Sequence, residues 1–119
     1  MKKHIILIED DPDILYIVGY ALEQAGYKVT RFEAFTTFEE LIDLQADCFL
    51  VDEQLPGISG HIICIILKSK PQTNAIPVIL MSASKESAGF ANLCNADTFL
   101  QKPFEITRLL HVLHSIIGA

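Results

Sequence analysis

The sequence predicts an α/β domain with a doubly wound, five-stranded parallel sheet and helices on both faces. Three observations predict it. Short apolar runs rich in β-branched residues recur along the chain, as strands buried on both faces do. Longer segments of helical period lie between them, bounded by capping and stop residues. The connections are only a few residues long, so successive strands run parallel with helical crossovers.

Taken in order, His4–Ile8 is the first strand. Asp11-Pro12 supplies an N-cap and a proline at the first helical position. The helix from Asp13 to Ala25 is expected to turn Ile14, Val18, Ala21, Leu22 and Ala25 inward, and Gly26 stops it. Tyr27–Phe32 alternates weakly and is the second strand. Thr36 or Thr37 caps a short helix over Phe38–Leu44. Cys48–Val51 is the third strand, ended by Asp52, and Leu55-Pro56-Gly57 is turn chemistry. Ser59 is a candidate cap for a helix over Gly60–Lys68. Pro77–Met81 is the fourth strand, a helical piece lies within Lys85–Cys94, Thr98–Gln101 is the fifth strand, and Glu105–Ile117 the last helix.

Composition narrows the function classes. The chain has 119 residues, half of them hydrophobic, and is expected to be one domain, 1–119. Fifteen acids against nine bases give a net charge of −6, which disfavours a nucleic-acid partner. The three cysteines, Cys48, Cys64 and Cys94, are odd in number and lie in apolar stretches, which fits a reducing, cytoplasmic setting and small core hydrophobes. No apolar run approaches the ~20 residues that cross a bilayer, so no membrane partner is expected.

The chemistry-bearing residues fall at the carboxyl ends of the strands. Glu9-Asp10-Asp11 follows the first, Asp52 the third, Ser82 the fourth and Lys102 the fifth. In open α/β sheets that edge binds ligands where the strand order reverses. With the common order 2-1-3-4-5, Asp10 and Asp52 face each other across the crevice. Two such charges 4 Å apart repel by about 4 kcal/mol at an effective dielectric near 20. A lysine or a hard cation relieves that repulsion, and Mg²⁺ suits a few carboxylate oxygens with retained waters. With the charge offset, Asp52 becomes a nucleophile toward phosphorus. Ser82 can then donate to a transferred phosphoryl oxygen, and small Ala83 lets backbone N–H approach it.

Four motifs carry a resemblance: Ile-Leu-Ile-Glu-Asp-Asp (6–11), Val-Asp-Glu-Gln-Leu-Pro-Gly-Ile-Ser-Gly (51–60), Pro-Val-Ile-Leu-Met-Ser-Ala (77–83) and Phe-Leu-Gln-Lys-Pro-Phe (99–104). In their order and near their spacing, the whole chain resembles the receiver domain of two-component response regulators, in a chemotaxis-regulator-like, stand-alone form. The resemblance implies a flavodoxin-like sheet. It implies that Asp52 accepts a phosphoryl group from a phosphohistidine on a sensor histidine kinase or histidine phosphotransfer protein, and that a downstream protein target reads the result. It implies Mg²⁺ held by Glu9, Asp10, Asp52 and the backbone carbonyl of Gln54, with Glu9 acting mainly through water. Ser82, Ala83 and Lys102 then bind the phosphoryl group, Ser82 and Phe99 are the switch pair, and the Lys102-Pro103 bond is cis. Such a protein is a stoichiometric phosphoacceptor rather than a turnover enzyme.

Two features depart from the family. The stretch from Ser82 to Lys102 is about two residues short, and Asn95-Ala96-Asp97 stands for the common Gly-Ala-Asp, so a shortened fourth helix is expected. The third helix carries a core stripe of Ile63, Cys64 and Leu67 and a second stripe of Ile62, Ile65 and Ile66. The second stripe is expected to touch a partner or a second copy of the domain. His4, His61, His111 and His114 read as structural or surface residues. The competing function is a degenerate receiver serving as a phosphorylation-independent interaction module, which normally lacks at least one of Asp10, Asp52, Ser82 and Lys102.

Overall fold

The computed structural model describes residues 2–118. Strands β1 (His4–Ile8), β2 (Lys28–Phe32), β3 (Cys48–Asp52), β4 (Val78–Ser82) and β5 (Thr98–Gln101) alternate with helices α1 (Pro12–Gln24), α2 (Phe38–Asp43), α3 (Gly60–Ser69), α4 (Ser87–Leu93) and α5 (Ile106–Ile117). The strands form one parallel sheet in the order β2-β1-β3-β4-β5. The expected architecture and strand order are therefore observed.

Two cores flank the sheet because successive side chains of a strand point to opposite faces. Ile5 and Leu7 of β1 join Leu50, Ile79 and Leu100 under Leu15, Val18 and Leu22 of α1 and Leu109 and Leu113 of α5. Ile6 and Ile8 join Phe49, Val51 and Val78 under Leu41 of α2 and Ile63, Cys64 and Leu67 of α3. Each fully buried aliphatic side chain contributes about 1.5–3 kcal/mol. All three cysteines lie buried among them as free thiols.

The helix starts follow local chemistry. Asp11 caps α1, its Oδ1 accepting from the backbone N–H of Asp13 and Ile14. Thr37, not Thr36, caps α2 through the Glu40 N–H. Three expectations need correction. The inward face of α1 is Leu15, Val18, Gly19 and Leu22, while Ala25 is exposed and Ala21 only half-buried. Five apolar residues from Ile14 to Val18 contain only one polar-tipped side chain, Tyr16, so periodicity alone did not fix the rotation of the helix. Ser59 precedes α3 but its side chain makes no capping bond. The carboxylate of Glu53 does that work, accepting from the His61 N–H at 2.8 Å. The fourth strand begins at Val78, one residue past Pro77, which has no N–H to give a ladder.

The fourth helix is short, seven residues, and no side chain caps it. Asn95 follows it with φ 60°, a left-handed conformation that asparagine tolerates best after glycine. That explains how Asn95-Ala96-Asp97 serves where glycine is common. Asp97 then anchors the turn, accepting from the Val78 N–H at 2.8 Å and from Lys68 Nζ at 2.9 Å. The Lys102-Pro103 peptide is cis. Among the described residues no helix is long and apolar enough to cross a membrane.

Candidate functional site

The parallel register assembles the site at one edge of the sheet. Ile8 pairs with Val51, Asp52 with Met81 and Ser82 with Gln101, so the residues at or just after four strand ends lie side by side. Glu9, Asp10 and Asp52 each offer a carboxylate oxygen, all within 4.8 Å of one another. Glu9 and Asp52 are buried, at 0% and 2% exposure, while Asp10 faces solvent. A Cβ on Gly60 would collide with the backbone carbonyl of Asp52, so the start of α3 can press against the end of β3 only as glycine.

Lys102 reaches into this acidic cluster. Its Nζ lies 2.5 Å from Glu9 Oε1 and 3.0 Å from Asp52 Oδ1. The second approach is off the hydrogen-bonding direction, and Asp52 Oδ1 is a buried oxygen without a hydrogen-bond partner. Burial raises the pKa of Glu9 above the ordinary carboxylate value, opposed by the Lys102 bond. Burial likewise raises that of Asp52, with Lys102 opposing and Asp10 adding to the rise. Lys102 is itself held charged: burial acts against the ammonium, but the hydrogen bond to Glu9 and the negative charge of Asp52 outweigh it and push its pKa up.

This donor set fits a hard divalent cation. Three carboxylates supply oxygen only, one of them opens to solvent, and the orphaned Asp52 Oδ1 has a lone pair to give. An ion there would offset the repulsion that one lysine does not cancel.

Ser82 is fully buried. Its hydroxyl donates to Gln54 Oε1 at 2.9 Å and accepts from the Ser84 N–H at 3.0 Å. Its backbone carbonyl takes the Lys102 N–H at 2.8 Å, tying the ends of β4 and β5 together. Ala83 is exposed beside it, and Phe99 is half-buried. Phe99 lines a cavity of about 520 Å³ with Ala88, Gln101, Phe104 and Arg108. The structure thus brings Glu9, Asp10, Asp52, Ser82 and Lys102 together, and places Phe99 on β5, beside β4 in the sheet, with Ala88 of α4 across the cavity.

Besides the Gln54–Ser82 bond, two features escaped the sequence reading. Glu53, 5% exposed, binds His61 twice, through the backbone N–H and through Nδ1 at 2.6 Å. The His61 ring stacks on Phe90 of α4, with centroids 4.3 Å apart and 9° between planes. The residue after Asp52 is thereby linked through α3 to α4. Glu53 and His61 are eight positions apart across an irregular loop, so no periodicity signals the pair. The other feature is an apolar groove of about 480 Å³, lined by Ile14, Ile17 and Val18 of α1, Ala83, Lys102 and Phe104 among others. Ile17 is 56% exposed at its rim, with Tyr16 and Tyr20 stacked on the same helix.

Comparison with known proteins agrees with this geometry. The family model of the response regulator receiver domain matches residues 5–114. A DNA-binding dual master transcriptional regulator, RpaA of Synechocystis, is 31% identical over 95% of this chain and 48% of its own length. The transcriptional regulatory protein FixJ of Bradyrhizobium diazoefficiens is 32% identical over 98% of this chain and 57% of its own. The chain therefore spans about half the length of these curated relatives. Among solved structures, the receiver domain of a Pseudomonas aeruginosa sensor histidine kinase, with a magnesium ion coordinated in its active-site cleft, superposes with a TM-score of 0.85 at 22% identity, covering all of both chains. A strand order of 2-1-3-4-5, an acidic cluster with a half-buried lysine at its carboxyl edge and a family model matching nearly end to end agree: the chain belongs to the response regulator receiver domain family.

Proposed function

We propose that Asp52 is the phosphoacceptor and that residues 1–119 act as a single receiver domain switched by its modification. The observation that carries this reading is the buried Oδ1 of Asp52, ion-paired with Lys102 yet in no hydrogen bond, beside Asp10 and Glu9. A carboxylate oxygen with a free lone pair, held at the sheet edge, is placed to attack phosphorus. The new bond joins an Asp52 oxygen to phosphorus. The bond that breaks is the P–N bond of a phosphohistidine on a sensor histidine kinase or histidine phosphotransfer protein, whose imidazole leaves with the electron pair.

Mg²⁺, held by Glu9, Asp10, Asp52 and the Gln54 backbone carbonyl, would supply charge neutralisation to the phosphoryl oxygens. Lys102 neutralises the same charge from the other side, Ala83 N–H and the Ser82 hydroxyl bind phosphoryl oxygens, and Phe99 fills the space that Ser82 vacates. The modification is stoichiometric, the setting cytoplasmic, and a downstream protein reads the changed surface. Ile62 and Ile65, 37% and 41% exposed, with half-buried Ile66, form a further contact surface, for a partner or a second copy. The intact set of Asp10, Asp52, Ser82 and Lys102 argues against a degenerate module.

Incubation with a small acyl phosphate or phosphoramidate tests the assignment by mass spectrometry. One phosphoryl group should add in the presence of Mg²⁺, none to Asp52→Asn, and little to Asp10→Asn. Full labelling of Asp52→Asn overturns it.

A further inference from the structure

A hydroxyl has one proton to donate. The Ser82 proton is already committed, to Gln54 Oε1 at 2.9 Å, while its oxygen accepts from the Ser84 N–H. With Gln54 in place Ser82 has no exposed surface, so in the resting structure its proton meets Gln54 rather than water. Gln54 is the reverse: its residue is exposed, two positions past Asp52 in the loop before α3, and a released carboxamide finds water at once.

We propose that the Gln54 carboxamide is a positioning residue, a latch that holds the Ser82 hydroxyl in the unphosphorylated geometry and must be released before Ser82 donates to a phosphoryl oxygen. The proposal rests on the reading of Ser82 as a phosphoryl-binding hydroxyl. Its logic is competition for one proton. The bond from Ser82 to Gln54 and the bond from Ser82 to phosphate exclude each other, so the strength of the first subtracts from the affinity for the second. The exchange is asymmetric because only the Ser82 end is buried. Without the Gln54 acceptor the resting state keeps an unsatisfied buried hydroxyl, which costs more than an ordinary hydrogen bond is worth, whereas the phosphorylated state loses nothing.

Gln54→Met keeps the length of the side chain and removes the carbonyl. Calorimetric titration with beryllium fluoride in Mg²⁺, a phosphoryl mimic, should show about fivefold or greater tightening in Gln54→Met. Amide exchange over residues 82–88 should also quicken in the variant without the mimic. Ser82→Ala should weaken binding, and adding Gln54→Met to Ser82→Ala should change nothing further. That last comparison separates a latch from simple widening of the crevice, which would tighten binding with or without the hydroxyl. If Ser82→Ala binds the mimic like the parent, the reading of Ser82 fails and the latch with it. If Ser82→Ala weakens binding but Gln54→Met does not tighten it, or tightens it equally without the hydroxyl, the latch alone is overturned.

Discussion

Lys102 is held by Glu9: its Nζ lies 2.5 Å from Glu9 Oε1, across the end of the sheet from the strand that carries it. Both groups are largely out of water, with side-chain exposures of 15% and 1%. The lysine is therefore parked against the acid that faces no solvent, and the approach to Asp52 at 3.0 Å is its secondary contact. Removing one partner of a buried pair leaves an uncompensated charge, which costs about 3–5 kcal/mol. Lys102→Met should destabilise the metal-free protein by about that amount near neutral pH. The loss should shrink as acid protonates Glu9 and Asp52. Urea unfolding at the two pH values measures both, and an equal loss at each would show that the cost is packing rather than charge.

The raised carboxylates set the sign of the pH dependence. Glu9 and Asp52 hold their protons more tightly when folded than when unfolded, chiefly because they are buried. The folded state then binds more protons through the window above the ordinary carboxylate values, and stability falls as pH rises through it. Lys102, raised above 10.5, contributes stability that is complete below that value and is lost as pH rises through its folded pKa. Mg²⁺ should reverse the carboxylate loss, adding about 2.7 kcal/mol at roughly a hundredfold excess over its Kd. Asp52→Asn should stabilise the metal-free protein near neutral pH and forfeit most of the Mg²⁺ increment. Thermal unfolding with and without chelator gives the comparison.

The groove beside Lys102 separates two kinds of phosphodonor. A small donor needs only the crevice, whereas a protein donor must also rest its surface somewhere near it. Ile17, half-exposed, is the large aliphatic side chain in that lining with area still to lose. Ile17→Asp should slow phosphoryl transfer from a partner phosphohistidine about tenfold or more, since full burial of such a side chain is worth about 1.5–3 kcal/mol. Labelling by a small acyl phosphate should be unchanged. A drop in both rates would mean that the substitution damages the site itself.

The α3 stripe makes a separate prediction. Ile62→Glu with Ile65→Lys places opposite charges three residues apart on a face that is now apolar. The fold should persist, because Ile63, Cys64 and Leu67 supply the buried face of that helix. Sedimentation should show weaker self-association, or a pull-down weaker partner binding. No change in either reduces the stripe to ordinary surface, which scattered exposed aliphatics usually are.

Strands and strand-end chemistry were legible in the sequence because two signals coincide there. A run such as Ile6-Leu7-Ile8 is apolar without alternation, and the first residues after it are acids, so both the strand and its edge are marked. An acid likewise closes the run at Val51-Asp52, and a hydroxyl closes the one at Met81-Ser82. Helix rotation was less legible. In α1 the inward Leu15 stands between Ile14 and Tyr16, and a nearly continuous apolar stretch supports more than one face. The contacts made by loops were not legible at all. Gln54 meeting Ser82, and Glu53 meeting His61, depend on the path from Leu55 to Ser59, which only the folded loop determines.

The overlap of His61 with Phe90 has a practical consequence. A proton held over the face of an aromatic ring is shielded by its ring current, so the imidazole protons of His61 should resonate away from their positions in free histidine. The chain has four histidines and no tryptophan. It therefore offers no indole fluorescence to follow, but a proton spectrum with few, separable imidazole lines. Any displacement of α4 that slides Phe90 off His61 would return one of those lines toward its unshielded position. The unlabelled, unmodified chain thus carries its own magnetic gauge of how far the fourth helix has travelled.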